Sequence, residues 1–233
     1  MTRRKPTIAI PTRSLRANSN IAAYGVFVSY VHSVVLAGGR PILVPPEPRE
    51  TLEFADGVLL TGGEDVGDQS LWSGNAPTEP IDRERDQAEL RIARHAIDKS
   101  LPLLGICRGA QIVNCALGGR IDRIPSENAV THAGKNNSGN SHSVSIDQTS
   151  LLSEIHKKEE IFVQSRHSST ISILGKGLLA CAWAKDGQVE AVESTSSPFI
   201  GVLWHPEWTN GINEKCSPEI AWLVNTSHRR SNA

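Results

Sequence analysis

The chain has 233 residues, enough for one large α/β domain with a substantial core, and the expectation is a single domain over 1–233. Lys plus Arg number 24 and Asp plus Glu 25, a formal net charge of −1, so the sequence carries no electrostatic footprint for nucleic acid or an anionic membrane. Four cysteines at 107, 115, 181 and 216 show no CxxC and no paired spacing, which suits reduced thiols better than a disulfide framework or a zinc site.

Along the chain, MTRRKPTIAIPTRS has a basic start but only a short apolar run before Pro11, too short for a signal-peptide core or a membrane span. A cytoplasmic protein is expected. RRK (3–5) and HRR (228–230) read as solvated ends. TIAIPT (7–12) predicts a first strand stopped by proline. In YGVFVSYVHSVVLAGG (24–39), Phe27, Tyr30, Val31, Val34 and Val35 fall at helical spacing, and Gly38-Gly39 suits a C-terminal cap. PILVP (41–45) and FADGVLLTGGEDV (54–66) each hold a buried strand, the second opening into a glycine loop.

DRERDQAELRIARHAIDK (82–99) reads as an amphipathic helix, with acids in its first turns and Ala88, Ile92, His95 and Ala96 on one face. LPLLGI (101–106) is a continuous apolar run, the pattern of a strand covered on both faces. Strands alternating with helices predict a three-layer α/β sandwich with a mostly parallel central sheet. Beyond residue 120, THAGKNNSGNSHSVSI (131–146) reads as a polar surface loop leading into a strand. His132 and His142 lack zinc-site spacing there. Asp186-Gly187 signals an added antiparallel hairpin, and FIGVLWHPEW (199–208) ends a last apolar strand in His-Pro-Glu.

Ligands of an open parallel sheet bind outside the carboxyl ends of its strands. Gly62-Gly63, Cys107 and His205-Pro206-Glu207 all fall at such ends. Cys107, between Gly105 and Gly109, is either a packed small hydrophobe or a nucleophile on a strand-to-helix turn, where a helix N-terminus favours thiolate. Cys115, mid-helix among Val113, Ala116 and Leu117, reads as core. His205 and Glu207 alternate around Pro206 in an extended segment, so both side chains project to one side and the carboxylate can orient the imidazole. Gly62-Gly63 either ends a strand or, through its backbone N–H with that of Arg108, forms an oxyanion hole. Trp72, Trp204 and Trp208 suit core or rim, with Trp208 placed to border the site; Glu64 and Asp65 could face a substrate amine or cap a turn.

GICRGAQIVNCALGG, LLTGGEDV, DRERD and WHPEW, in this order, together resemble the class I glutamine amidotransferase-like superfamily. Within it the chain is similar to γ-glutamyl hydrolases of the γ-glutamyl-γ-aminobutyrate hydrolase type, the cysteine peptidase C26 family. The resemblance implies a flavodoxin-like sheet and γ-glutamyl amide hydrolysis with no metal or organic cofactor. It implies Cys107 as nucleophile, His205 as general base, Glu207 as its orienting acid, and Gly63 with Arg108 as the oxyanion hole. Gln111, Ser165, Arg166 and His167 match substrate-contacting positions.

Where the branch reads Asn-Ser-x-His-His-Gln, this chain has Gln164 for the Asn and Ser168-Ser169 for His-Gln, and GDQSLW (67–72) is also unusual. The expectation is therefore a leaving amine bulkier or less acidic than γ-aminobutyrate, lying against EDVGDQSLW and Ser168-Ser169. The partner expected is a small γ-glutamyl compound, with a homodimer allowed. The alternative is a glutaminase subunit that passes ammonia to a separate synthetase; a binding scaffold with a relic site ranks third. The chain has no G-x-x-x-x-G-K-[ST] motif, which favours the hydrolase.

Overall fold

A computed structural model describes residues 4–16, 22–46, 52–74, 76–77, 82–209 and 216–230. The strands are β1 (Thr7–Pro11), β2 (Arg13–Arg16), β3 (Ala22–Gly25), β4 (Arg40–Val44), β5 (Gly57–Leu60), β6 (Leu103–Ile106) and β7 (Arg120–Arg123). They continue with β8 (Asn140–Ile146), β9 (Glu160–Ser165), β10 (Ser169–Ile173), β11 (Leu178–Ala184), β12 (Val189–Ser194) and β13 (Phe199–Val202). The helices are α1 (Val28–Leu36), α2 (Arg83–Asp98), α3 (Arg108–Ala116), α4 (Ala129–Ala133), α5 (Leu151–His156) and α6 (Pro218–Arg230).

Nine strands form one sheet in the order β4-β1-β5-β6-β13-β12-β11-β8-β9. From β4 to β13 the pairings are parallel; from β13 to β9 they are antiparallel. The antiparallel half therefore extends past the expected β11–β12 hairpin to β8 and β9. Small two-stranded sheets, β2–β3 and β7–β10, flank the main one. Helices cover both faces, giving the three-layer α/β sandwich. On one side α2 and α3 bring Ile92, Ala96, Ile112 and Val113 onto Ala9, Val58, Leu60 and Leu103. On the other, α1, α5 and α6 bring Tyr30, Val34, Leu152, Ile220 and Leu223 onto Ile8, Ile10, Leu59, Leu104 and Ile106. Adjacent strand residues divide between the two faces, as the pleat requires.

The first helix is shorter than its periodicity suggested. Tyr24 and Gly25 lie in β3, and Phe27 and Val35 are exposed, leaving Tyr30, Ser33 and Val34 as the buried face. Gly38, at φ +87°, ends it as expected, with Gly39 N–H donating to Val34 O. In α2 the Asp82 carboxylate accepts from Arg85 N–H at the N-cap, and Ala88, Ile92 and Ala96 are buried. The charged side of its first turns is not solvated, however. Arg85, Asp86 and Glu89 are all buried, because Arg108 reaches across from α3 to pair with Asp86 and Glu89.

The segment 131–146 leads into a strand as expected, and 135–138 are exposed, but it is not simply a surface loop. It forms part of α4, a 3₁₀ turn (Lys135–Asn137) and β8, and it buries both His132 and His142. Of the basic ends, Arg4 pairs with Asp56 at 2.7 Å and His228–Arg230 close α6; Arg3 lies outside the described residues. Among the described residues no helix is long and apolar enough to cross a membrane.

Candidate active site

Cys107 stands between β6 and α3 with φ +52° and ψ −110°, a backbone conformation strained for any residue with a Cβ. Its neighbours explain how the chain tolerates it. A Cβ on Gly105 would lie 2.7 Å from Ala110 N, and one on Gly109 2.3 Å from Leu60 O, so only glycine lets helix and strand approach this closely. Cys107 N–H donates to Val202 O at 2.7 Å, tying the elbow to β13, the strand that leads to His205.

His205 Nδ1 lies 2.7 Å from Glu207 Oε1, both residues being buried. The extended alternation expected for this pair is absent. After β13 the chain bends, and Glu207 sits in a 3₁₀ turn (Pro206–Thr209) that folds its carboxylate back onto the ring. Burial alone would lower the imidazole pKa, but the Cys107 sulfur and the Glu207 carboxylate outweigh it and push it up to about 10. Trp208 stacks on the His205 ring, with centroids 4.0 Å apart and planes 5° from parallel. It therefore borders the site, whereas Trp72 and Trp204 are buried, their indole N–H groups donating to Val66 O and Glu219.

Gly62 is where these groups converge. A Cβ there would lie 2.8 Å from the Tyr30 hydroxyl oxygen, 3.0 Å from His205 Cε1 and 3.5 Å from Cys107 Cβ. Gly62 N–H donates to the Tyr30 hydroxyl at 3.0 Å. Burial, and then the Glu207 carboxylate, hold the phenol well above its ordinary pKa, so it stays neutral. Tyr30 read as a core residue of α1; only its single polar atom hinted that it reaches the site.

The residues line a cavity of about 880 Å³. Its floor holds Gly62, Gly63, Cys107 and His205, and its walls include Gln111, Arg166 and His167. Arg85 supports the glycine loop from beneath, its Nη2 donating to Thr61 Oγ1 at 3.1 Å and Gly62 O at 3.1 Å, while its Nε donates to Glu89 Oε1 at 2.8 Å. Two cations and two carboxylates thus close a buried, neutral network, Arg85, Arg108, Asp86 and Glu89, behind the elbow. Asp86 also accepts from Gly67 N–H at 2.8 Å and Asp68 N–H at 3.0 Å, fixing the next loop.

Several expected contacts are placed differently. The Arg108 guanidinium is consumed by Asp86 and Glu89 and cannot meet a ligand in the cavity; only its backbone can. Ser165 lies outside the cavity lining, its hydroxyl donating to His132 O at 2.9 Å. Gln111 lines the cavity, but its amide nitrogen is tethered to Ser169 O and Oγ at 3.1 and 3.0 Å. His167 Nδ1 faces Ser169 O at 3.0 Å. Of EDVGDQSLW only Glu64 and Asp65 reach the cavity. Asp65 pairs with Arg123 at 2.5 Å, and Arg123 also donates to Ser168 Oγ at 2.9 Å, so this ion pair takes up room beside the two serines.

The far wall was missed by sequence reasoning. Arg13, Phe27, Val28 and Asn137 line it, with Phe27 55% and Val28 62% exposed. Arg13 pairs with Glu64 at 2.5 Å and covers the Phe27 ring. Arg166 is exposed and forms no ion pair among the described residues. Cys115 is sealed in the core, where burial pushes its thiol up to about 12. Chemically, the arrangement offers a thiol at a helix N-terminus, an adjacent imidazole oriented by a carboxylate, and backbone N–H groups at the mouth of α3.

The profile of the family described as Peptidase C26 matches residues 6–207. Gamma-glutamyl-gamma-aminobutyrate hydrolase of Escherichia coli O157:H7 is 29% identical over 197 residues, covering 78% of each chain. RP404 of Rickettsia prowazekii, whose name calls it glutamine amidotransferase-like, is 27% identical over 260 residues, covering 88% of this chain and 92% of its own. The glutaminase domain of Trypanosoma brucei CTPS, solved with bound acivicin, superposes with a TM-score of 0.68 over 96% of this chain and 94% of that one. At 16% identity that likeness is one of fold. With the match running through residues 6–207, the chain belongs to the peptidase C26 family and is a hydrolytic enzyme.

Proposed function

We propose that this chain hydrolyses a γ-glutamyl amide through a thioester on Cys107. His205 already holds the proton taken from the Cys107 thiol, and the sulfur attacks the γ-carbonyl carbon. The oxyanion that forms accepts hydrogen bonds from the N–H groups of Gly63 and Arg108. The carbon–nitrogen bond then breaks, and the proton held by His205 passes to the departing amine. Water, deprotonated by His205, attacks the thioester; the carbon–sulfur bond breaks, glutamate leaves and the thiol is restored. Glu207 keeps the ring in place and balances the imidazolium at each stage.

The observation that carries this reading is the convergence of Cys107, His205 and Tyr30 on Gly62, beside a carboxylate 2.7 Å from the imidazole. The γ-glutamyl end carries a carboxylate and an ammonium, which need partners once removed from water. Arg166, exposed and in no ion pair among the described residues, suits the first; Glu64 and Asp65, though paired with Arg13 and Arg123, supply negative charge for the second. Phe27, Val28 and the 40%-exposed Trp208 favour an apolar leaving amine, such as an aralkylamine, over a charged one. The name of RP404 supports the second reading, a glutaminase subunit acting with a synthetase.

Assaying the isolated protein on γ-glutamyl amides and on glutamine tests both. The first reading predicts kcat/KM at least about tenfold higher for the apolar amides than for glutamine and γ-glutamyl-γ-aminobutyrate, a margin within what apolar contacts supply. Turnover of glutamine alone, and only when a partner protein is added, supports the second.

A further inference from the structure

Behind the Arg166–Ser169 wall of the cavity lies a cluster that the proposed thioester chemistry leaves unused. Three histidines, His132 from α4, His142 from β8 and His167 from the turn after β9, face one carboxylate, Glu190 of β12. Glu190 Oε1 is 2.8 Å from His132 Nδ1, 3.1 Å from His142 Nε2 and 3.4 Å from His167 Nε2. Each of the four side chains is at least nine-tenths buried.

The other nitrogen of each ring also faces an acceptor. His132 Nε2 is 2.8 Å from Asp186 Oδ2, His142 Nδ1 is 3.1 Å from Thr131 O, and His167 Nδ1 is 3.0 Å from Ser169 O. Those outer acceptors hold the outer nitrogens as N–H donors, so in the neutral rings the inner nitrogens present lone pairs to Glu190. Satisfying every contact with protons would require three imidazoliums, although the His132 ring lies only 4.9 and 5.0 Å from the other two. His132 Nδ1, His167 Nε2 and Glu190 Oε2 are in fact buried without a hydrogen-bond partner. A divalent cation removes the conflict, because it accepts all of these lone pairs at once.

The dimensions fit such an ion. Ligand atoms about 2.0–2.1 Å from a tetrahedral zinc are about 3.3 Å apart, and those of His132, His142 and Glu190 all lie within 4.8 Å of one another, so a small inward shift closes them on an ion. The outer partners, a carboxylate and two backbone carbonyls, are the groups that orient metal-bound imidazoles.

We propose that His132 Nδ1, His142 Nε2 and the Glu190 carboxylate bind a zinc-class divalent cation, separate from Cys107 and His205, with His167 Nε2 moving in as the fourth ligand. The sequence conceals it because its ligands come from four separate elements, with 10, 25 and 23 residues from each ligand to the next. His167 also lines the cavity, which provides an entry path. The ion fastens α4, β8 and β12 to the cavity wall, so its first role is to hold that wall in register.

Tag-free protein, stripped with chelator, is titrated with cobalt(II) and zinc(II), followed by visible spectra, elemental analysis after gel filtration, and thermal unfolding. The expected result is roughly one ion per chain, tetrahedral nitrogen/oxygen ligand-field bands without thiolate charge transfer, and a rise in Tm of several degrees. His142→Asn and Glu190→Gln should weaken binding about tenfold or more, while Cys107→Ser and the exposed His32→Asn should bind as the wild type. Failure of the wild-type protein to take up either metal would overturn the proposal, and this arm does not depend on any variant folding. Metal lost in Cys107→Ser but kept in His142→Asn would overturn it too, by moving the ion to the thiol.

Discussion

Arg85 occupies the space that a side chain at Gly63 would need: a Cβ there would stand 2.3 Å from Arg85 Nη1. The guanidinium cannot swing aside, since it is buried and bonded to Glu89, Thr61 and Gly62. Gly63→Ala should therefore push the glycine loop off its position. If its N–H meets the oxyanion, kcat should fall by about 10²-fold or more, the cost of losing one such donor, with KM much less affected. Steady-state kinetics on the best amide checks this; an unchanged kcat removes Gly63 from the reaction.

The proposed mechanism makes Cys107 the reactive thiol and Cys115 a packed one. Cys107→Ser should lower kcat by several orders of magnitude, and Cys115→Ser should leave it within a few-fold while costing about 1 kcal/mol of stability. Kinetics paired with chemical denaturation distinguishes loss of chemistry from loss of fold. If Cys115→Ser were the inactive variant, the nucleophile would have been assigned to the wrong cysteine.

Glu207→Gln tests the carboxylate that holds His205. The amide can still fill the space but no longer balances the imidazolium, so kcat should drop about 10²–10⁴-fold with KM little changed. Equal activity in the two proteins would reduce the 2.7 Å contact to packing.

The raised His205 pKa makes a statement about stability. Its ordinary value is 6.5 and its folded value about 10, so the protonated ring is favoured in the folded state. The stability it contributes is complete below about pH 6.5 and is lost as pH rises towards about 10. Glu207→Gln removes a carboxylate that helps to hold the proton. Denaturation midpoints between pH 7 and 9.5 should then fall more steeply for the wild type than for the variant. Parallel profiles would show that no such ion pair exists.

Much of this site was legible where one local pattern carried the information. The glycines around Cys107 marked an elbow because no other residue allows backbones that close, and Asp186-Gly187 marked a turn because Gly187 adopts φ +82°. Groups whose partners lie far along the chain were misread. Arg85, Asp86 and Glu89 fell within an amphipathic pattern whose charges do not reveal that Arg108 arrives from the next helix. His132 and His142 looked like loop residues because His167 and Glu190, which draw them inward, come from other elements. The His205–Glu207 contact was anticipated for the wrong reason: a 3₁₀ turn, not strand alternation, brings the two together.

The thioester is the centre of this account, and trapping it tests the account most directly. Wild-type protein mixed with a γ-glutamyl anilide, acid-quenched within the first turnovers and digested should yield a peptide spanning Cys107 heavier by one γ-glutamyl group, that is, glutamate less one water. Hydroxylamine should remove that mass, and Cys107→Ser should never acquire it. Turnover with no adduct in any quench, or an adduct carried by Cys115, Cys181 or Cys216, would contradict the mechanism.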